Sequence, residues 1–124
     1  MGEIKTFRDL RVWQKAHILV VFIYEVTKKF PKNEEYGLVS QMRRAAISVA
    51  CNIVEGFKRK SLKDSLSFYN ISESSLEELK YQLLISKDLR YINSKTYQIG
   101  VEKCDETGKL LNAWIKSQKR NLKT

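Results

Sequence analysis

Proline occurs once and glycine five times in 124 residues. An all-β fold needs such residues at regular turn positions, so their scarcity argues for helices. The two cysteines, Cys51 and Cys104, are too few for a disulfide framework and have no metal-ligand spacing with the lone histidine, His17. Both lie in apolar periodic segments and are expected to be free, buried thiols. The longest apolar run, Ile18–Tyr24, is seven residues, against the roughly 20 that a membrane span requires. The opening MGEIKTFRDL lacks an apolar stretch after a basic start, so no secretory signal is expected and the assignment is cytoplasmic. Gly37, Gly56, Gly100 and Gly108 stand isolated, which excludes a glycine-rich phosphate loop.

What the chain does have is apolar material and positive charge. Hydrophobic residues make up 43% and charged residues 30%, enough for one core and a solvated surface, and the length suits a single domain spanning residues 1–124. Lys and Arg outnumber Asp and Glu by 23 to 14, a net charge of +9. Such a surplus on a small domain sets up a field that attracts polyanions.

Hydrophobic periodicity predicts four helices, at about residues 7–29, 36–57, 62–91 and 95–119. Thr6 with Asp9 forms a capping box before the first, and Pro31 ends it. Trp13, His17, Val20 and Tyr24 mark its expected inner face. The second helix carries one apolar stripe at Leu38, Met42, Ala45, Val49 and Ile53, and another at Ile47, Ala50, Val54 and Phe57. A helix apolar over that much of its circumference is buried on two sides, and in a domain this small the second side points to another subunit. Ser61 with Asp64 caps the third helix. The fourth has a heptad-like seam of Tyr97, Val101, Cys104, Gly108, Leu111 and Ile115, where Gly108 is expected to admit a close neighbour. Short connections force antiparallel neighbours, so the expected fold is an all-α, up-down-up-down four-helix bundle.

That topology sorts the charges. Lys58, Arg59, Lys60 and Lys63 occupy the corner between helices 2 and 3, and the segment carrying Lys116, Lys119, Arg120 and Lys123 returns to the same end. Lys28, Lys29, Lys32 and Lys95 fall at the opposite end. Phosphate contacts need only positive charge within reach, so the corner and the C-terminal basic residues are the candidate nucleic-acid-binding set. Arg43 and Arg44 sit on a mostly buried helix, where an arginine normally requires a carboxylate; Glu55 and Glu78 are the expected partners. Arg43, Arg44, Asn52, Glu55, Glu78 and Trp13 are therefore read as structural or interface residues. His17 has no nucleophile motif around it and is expected in the core or an interface. Glu73, Glu77 and Glu78 lack the Glu-x-x-His companions of a di-metal bundle, so they read as a solvated face. No catalytic residue, metal ligand, cofactor or small-molecule substrate is indicated.

Particular residues add to the pattern. Phe7-x-x-Leu10-x-Val12-Trp13-Gln14-Lys15-Ala16 is followed by Phe30-Pro31 and by Glu35-Tyr36-Gly37-Leu38-x-Ser40-Gln41-Met42-Arg43-Arg44-Ala45-Ala46-x-Ser48-Val49. Asn52-Ile53-Val54-Glu55-Gly56 then completes the series. This closely resembles the bacterial four-helix-bundle family whose founding members are encoded by intervening sequences within 23S ribosomal RNA genes. That family is distantly similar to the accessory proteins of diversity-generating retroelements. The likeness spans nearly the whole chain and is strongest over helices 1 and 2. Departures fall in helix 3: Ser72 and Ser74-Ser75 stand where an alanine and a Gly-Ser pair are usual, and Arg90 where a glycine is common. The resemblance implies a ring of five identical subunits, a homopentamer, with a basic surface and a role related to nucleic acid.

The expected function is therefore non-enzymatic: an oligomeric adaptor that binds RNA or DNA through repeated basic clusters. The alternative is a protein–protein scaffold whose basic surface meets an acidic protein partner.

Overall fold

The computed structural model describes residues 2–122. Four helices make up the domain: α1 (Arg11–Thr27), α2 (Ser40–Lys58), α3 (Leu62–Asp88) and α4 (Ser94–Leu122). Among the described residues there is no strand. Pairings along the helices fix the topology. Ser65 Oγ donates to Gly56 O, Ser72 Oγ to Val49 O and Ser75 Oγ to Ser48 Oγ, so α3 rises as α2 descends. Trp114 meets Tyr69 and Asp105 meets Lys80 between α4 and α3, and Glu106 meets Lys15 while Gly100 meets Phe22 between α4 and α1. Each adjacent pair is antiparallel, giving the up-down-up-down bundle that the short connections predict.

The helix limits differ from expectation where the backbone finds other partners. The Thr6–Asp9 capping box forms, with Arg8 N donating to Thr6 Oγ1 and Thr6 N to Asp9 Oδ2, but it closes only a single 3₁₀ turn, Phe7–Asp9. The chain then goes extended at Leu10, which buries its side chain, and α1 starts at Arg11. Between α1 and α2 lie a 3₁₀ turn, Lys32–Glu34, and a π turn, Glu35–Val39. Gly37 leaves helical geometry there (φ −108°, ψ −110°), and the Glu34 carboxylate accepts from Leu38 N, so regular α2 begins at Ser40 rather than Tyr36. Helix α3 stops at Asp88, three residues short of its expected end. Tyr91 N donates to Ser86 O and Arg90 N to Lys87 O, a Schellman cap with Arg90 in the left-handed region at φ 65°. Helix α4 continues through Leu122, past its expected end at about residue 119.

The core runs the length of the bundle through Ile23, Met42, Val49, Ile53, Leu79, Leu83 and Leu111. On α1 it takes Val12, Ala16, Leu19 and Ile23 rather than the Trp13, His17, Val20, Tyr24 row. Adjacent rows share one period, and the wholly apolar one wins because His17 would bring a polar ring inside. His17 is accordingly exposed, stacked on Trp13 at 5.2 Å. Of the first stripe, Met42, Ala45, Val49 and Ile53 on α2 are buried as expected, and Leu38, ahead of the helix, is half-buried. The second divides: Ala50 is buried, Val54 and Phe57 are half-buried, and Ile47 remains 39% exposed. Cys104 is buried and Cys51 is exposed, so only one of the two thiols meets the expectation.

Close approach occurs at glycines other than the one expected. A Cβ on Gly56 would stand 2.3 Å from Tyr69 Cε1, and one on Gly100 would stand 2.9 Å from Leu83 Cδ1. At Gly108 the nearest atom, Leu76 Cδ1, would be 3.8 Å away, an ordinary contact that does not require glycine. The buried serines of α3, Ser72 among them where an alanine is usual, use the room well: Ser65, Ser72 and Ser75 each bond to α2, and Ser86 turns back to Gln82 O. Buried hydroxyls are tolerated because each is satisfied.

Candidate nucleic-acid interface

The corner between α2 and α3 presents Lys58, Arg59, Lys60 and Lys63, all exposed. Lys58 lies in the last turn of α2, where positive charge complements the helix dipole. Ser61 caps α3 by accepting from Asp64 N at 3.2 Å. Arg59 is held: its guanidinium reaches Glu55 at 2.6 Å and lies 4.6 Å above the Phe68 ring. An exposed pair one helical turn apart adds little stability, about 0.3–0.5 kcal/mol, so Arg59 is oriented rather than neutralised for any stronger anion.

Helix α4 ends beside this corner. Arg59, Lys60, Ser61 and Ser65 line one cleft with Gln118 and Asn121. The exposed Lys116, Lys119 and Arg120 therefore stand at the same end of the bundle as Lys58, Lys60 and Lys63, as the topology predicts. Among the described residues none of these six enters an ion pair, and Lys123 lies outside the described residues. At the opposite end Lys29 shares a groove with Asn93 and Thr96, and Lys28 is paired with Glu25.

The residues read as structural behave unevenly. Arg43 is half-buried and held by α1, not by a carboxylate. Its Nε donates to Thr27 Oγ1 at 2.9 Å, Nη2 reaches Tyr24 O at 3.4 Å, and the guanidinium lies 4.4 Å from the Tyr24 ring centroid. Neither expected acid reaches it, because Glu55 is turned to Arg59 and Glu78 accepts from Gln82 Nε2. Arg44, one residue further round α2, is exposed and in no ion pair among the described residues. Asn52 stays within its own helix, donating to Ser48 O and Oγ, and so supports the Ser48–Ser75 contact between α2 and α3. Trp13 is half-buried, packed edge-on to Phe7 at 4.9 Å. Sequence reasoning passed over Tyr24, which fixes Arg43, and Tyr36, which is 91% exposed beside it. Their sequence signals, Tyr24 in an apolar row of the first helix and Tyr36 in the Glu35-Tyr36-Gly37-Leu38 run, do not point to a site.

Acid–base perturbations are few and structural. Backbone N–H groups of Thr6 and Lys5 hold the Asp9 carboxyl below its usual range. Hydrogen bonds that Lys80 donates to Glu77 and Asp105 raise its pKa, and the second ties α3 to α4. Burial pushes the Cys104 thiol up to about 12. Among the described residues no three His, Cys, Asp or Glu side chains gather as metal ligands would, and no helix is long and apolar enough to cross a membrane. Of the glutamates read as a solvated face, Glu77 and Glu78 are exposed and Glu73 is half-buried.

The arrangement of helices is found elsewhere. It is similar to the crystal structure of a protein of unknown function from the S23 ribosomal protein family of Bacteroides thetaiotaomicron VPI-5482. The TM-score is 0.78 and the identity 26%, over 85% of this chain and 98% of that one. No curated protein matches the chain. The model of the family described as 23S rRNA-intervening sequence protein matches residues 8–113, from the first turn well into α4, and the chain belongs to that family.

Proposed function

We propose that this protein is a non-enzymatic nucleic-acid-binding adaptor, working as an oligomer and gripping RNA or DNA through its basic end. The observation that carries this reading is the meeting of two basic segments far apart in sequence. Lys58, Lys60 and Lys63 join Lys116, Lys119 and Arg120 at one end of the bundle, without acids paired to them among the described residues. Such a cluster suits phosphates, which reward positive charge without demanding sequence. Self-association is supported by apolar side chains left open on α1, namely Ile18 and Val21. Five copies is the number the family resemblance implies, and a closed ring would repeat the basic end five times, raising avidity without new contacts.

Fluorescence polarisation with labelled RNA and DNA across a salt series tests the binding. Affinity should fall steeply with salt, and changing Lys60 and Lys63 together to Ala should shallow the salt dependence by about two counterions. Binding that is absent at low salt, or indifferent to salt, overturns the reading. Light scattering on the same samples gives the oligomer mass. A scaffold for an acidic protein is the other reading of the same charge; pull-downs that survive nuclease treatment would favour it.

A further inference from the structure

We infer that the open groove over the N-terminal half of α2 is a second nucleic-acid contact, specific for single strands: Arg43 and Arg44 take phosphate, and Tyr36 stacks on a base. The inference rests on the nucleic-acid reading above but concerns a different surface. The groove, about 590 Å³, is lined by Tyr24, Tyr36, Ser40, Arg43, Arg44 and Ser48, and Glu35 is the one acid on its wall.

Arg43 carries the argument. A half-buried guanidinium calls for a counter-charge, and here it has only a hydroxyl, a carbonyl and an aromatic face. Those three contacts use Nε and Nη2 and fix the plane of the group, leaving the Nη1 donors of the fork for an anion. A side chain already held in one geometry loses little further entropy when it binds. Arg44 follows it on the same wall, exposed and without an acid among the described residues. The anion that fits is a phosphodiester rather than a free carboxylate, because the groove adds an aromatic platform.

Tyr36 supplies that platform. It is 91% exposed at the groove's rim, whereas Tyr24 inside the groove is covered by Arg43 and Phe68 at the basic end by Arg59. An uncovered ring beside phosphate-binding arginines suits an unstacked base, which only a single strand or loop offers. Among the described residues the basic end has no such ring open, so it should accept duplex and single strand alike.

The test compares a fluorescein-labelled oligouridylate with an RNA duplex of the same length. Tyr36→Ala should weaken oligouridylate binding on the order of tenfold and leave the duplex unchanged, and Tyr36→Phe should bind as the parent chain does. Arg44→Ala should reduce the salt slope for the single strand by about one. Tyr36 and Arg44 are exposed, so both variants should fold, which circular dichroism checks. Parent-like oligouridylate binding by Tyr36→Ala, or equal loss for both probes, overturns the inference. So does an Arg44→Ala chain that binds normally but changes oligomer mass, because a carboxylate from a second copy then occupies the groove. If the parent chain binds duplex through Lys60 and Lys63 while these variants have no effect, only this inference fails. If it binds neither probe, the function proposed above fails with it.

Discussion

The two long sides of α2 are built on opposite plans. Toward α3 it is closed: Gly56 lets Tyr69 lie against the backbone, and Ser65, Ser72 and Ser75 stitch the helices with short hydrogen bonds. Away from α3 it is open, with Arg43 leaning on α1 and Arg44, Ile47 and Cys51 facing solvent. Small residues close a seam because they bring backbones together and satisfy them locally. Large polar residues hold a neighbour at a distance and keep donors available. The closed side gives the fold its register, and the open side keeps chemistry that can serve a partner.

Thiol chemistry should expose the contrast between open and closed surfaces most strongly, since Cys51 lies on the open side of α2 and Cys104 is buried between α3 and α4. Burial lifts Cys104 to about 12 from an ordinary 9.0, which lowers its thiolate fraction near neutral pH on the order of a thousandfold. A disulfide reagent should therefore label Cys51 in the native protein and Cys104 only on unfolding. If Cys51 labelling slows as protein concentration rises, the open side is where copies meet. The sign of the linked stability follows: the neutral buried thiol contributes in full below pH 9.0, and that contribution is lost as pH rises toward about 12.

Gly56→Ala should cost about 2–3 kcal/mol in urea unfolding, because the new methyl collides with a ring that is 1% exposed and cannot swing away. The same exchange at Gly108, which meets nothing closer than 3.8 Å, should stabilise α4 by up to about 1 kcal/mol; similar costs at both glycines would break the comparison. On the open side, Arg43→Ala should cost about 1–2 kcal/mol, from the hydrogen bonds to Thr27 and Tyr24 O and the stack on the Tyr24 ring. Arg90→Gly should stabilise the fold by roughly 1 kcal/mol and so raise the thermal midpoint, because glycine adopts the left-handed cap at φ 65° without crowding its carbonyl. Thermal unfolding of the two chains side by side checks it.

How much of this was legible depends on range. The four helices, their antiparallel order and the shared basic end followed from periodicity and connection length, which are local properties of the chain. The face of α1 was misplaced by one residue, since Val12–Ala16–Leu19–Ile23 and Trp13–His17–Val20–Tyr24 have the same spacing and only packing chooses between them. The partner of Arg43 depended on that rotation, so Tyr24 and Thr27 could not be foreseen while Glu55 and Glu78 seemed available. Arg90 was noticed because related chains favour glycine there, and its positive φ supplies the reason. The glycines that matter, Gly56 and Gly100, differ from Gly108 only in what the facing helix sends toward them.

The stitched seam also bears on the order in which the bundle assembles. Its partners, Gly56 with Ser65 and Val49 with Ser72, are close along the chain, so the loop closed between them is short. The α2–α3 hairpin is thus the inexpensive nucleus, whereas α1 and α4 meet through contacts such as Lys15 with Glu106, which are far apart along the chain. Substitutions in the hairpin should slow refolding, and those between α1 and α4 should quicken unfolding while leaving the refolding rate nearly untouched.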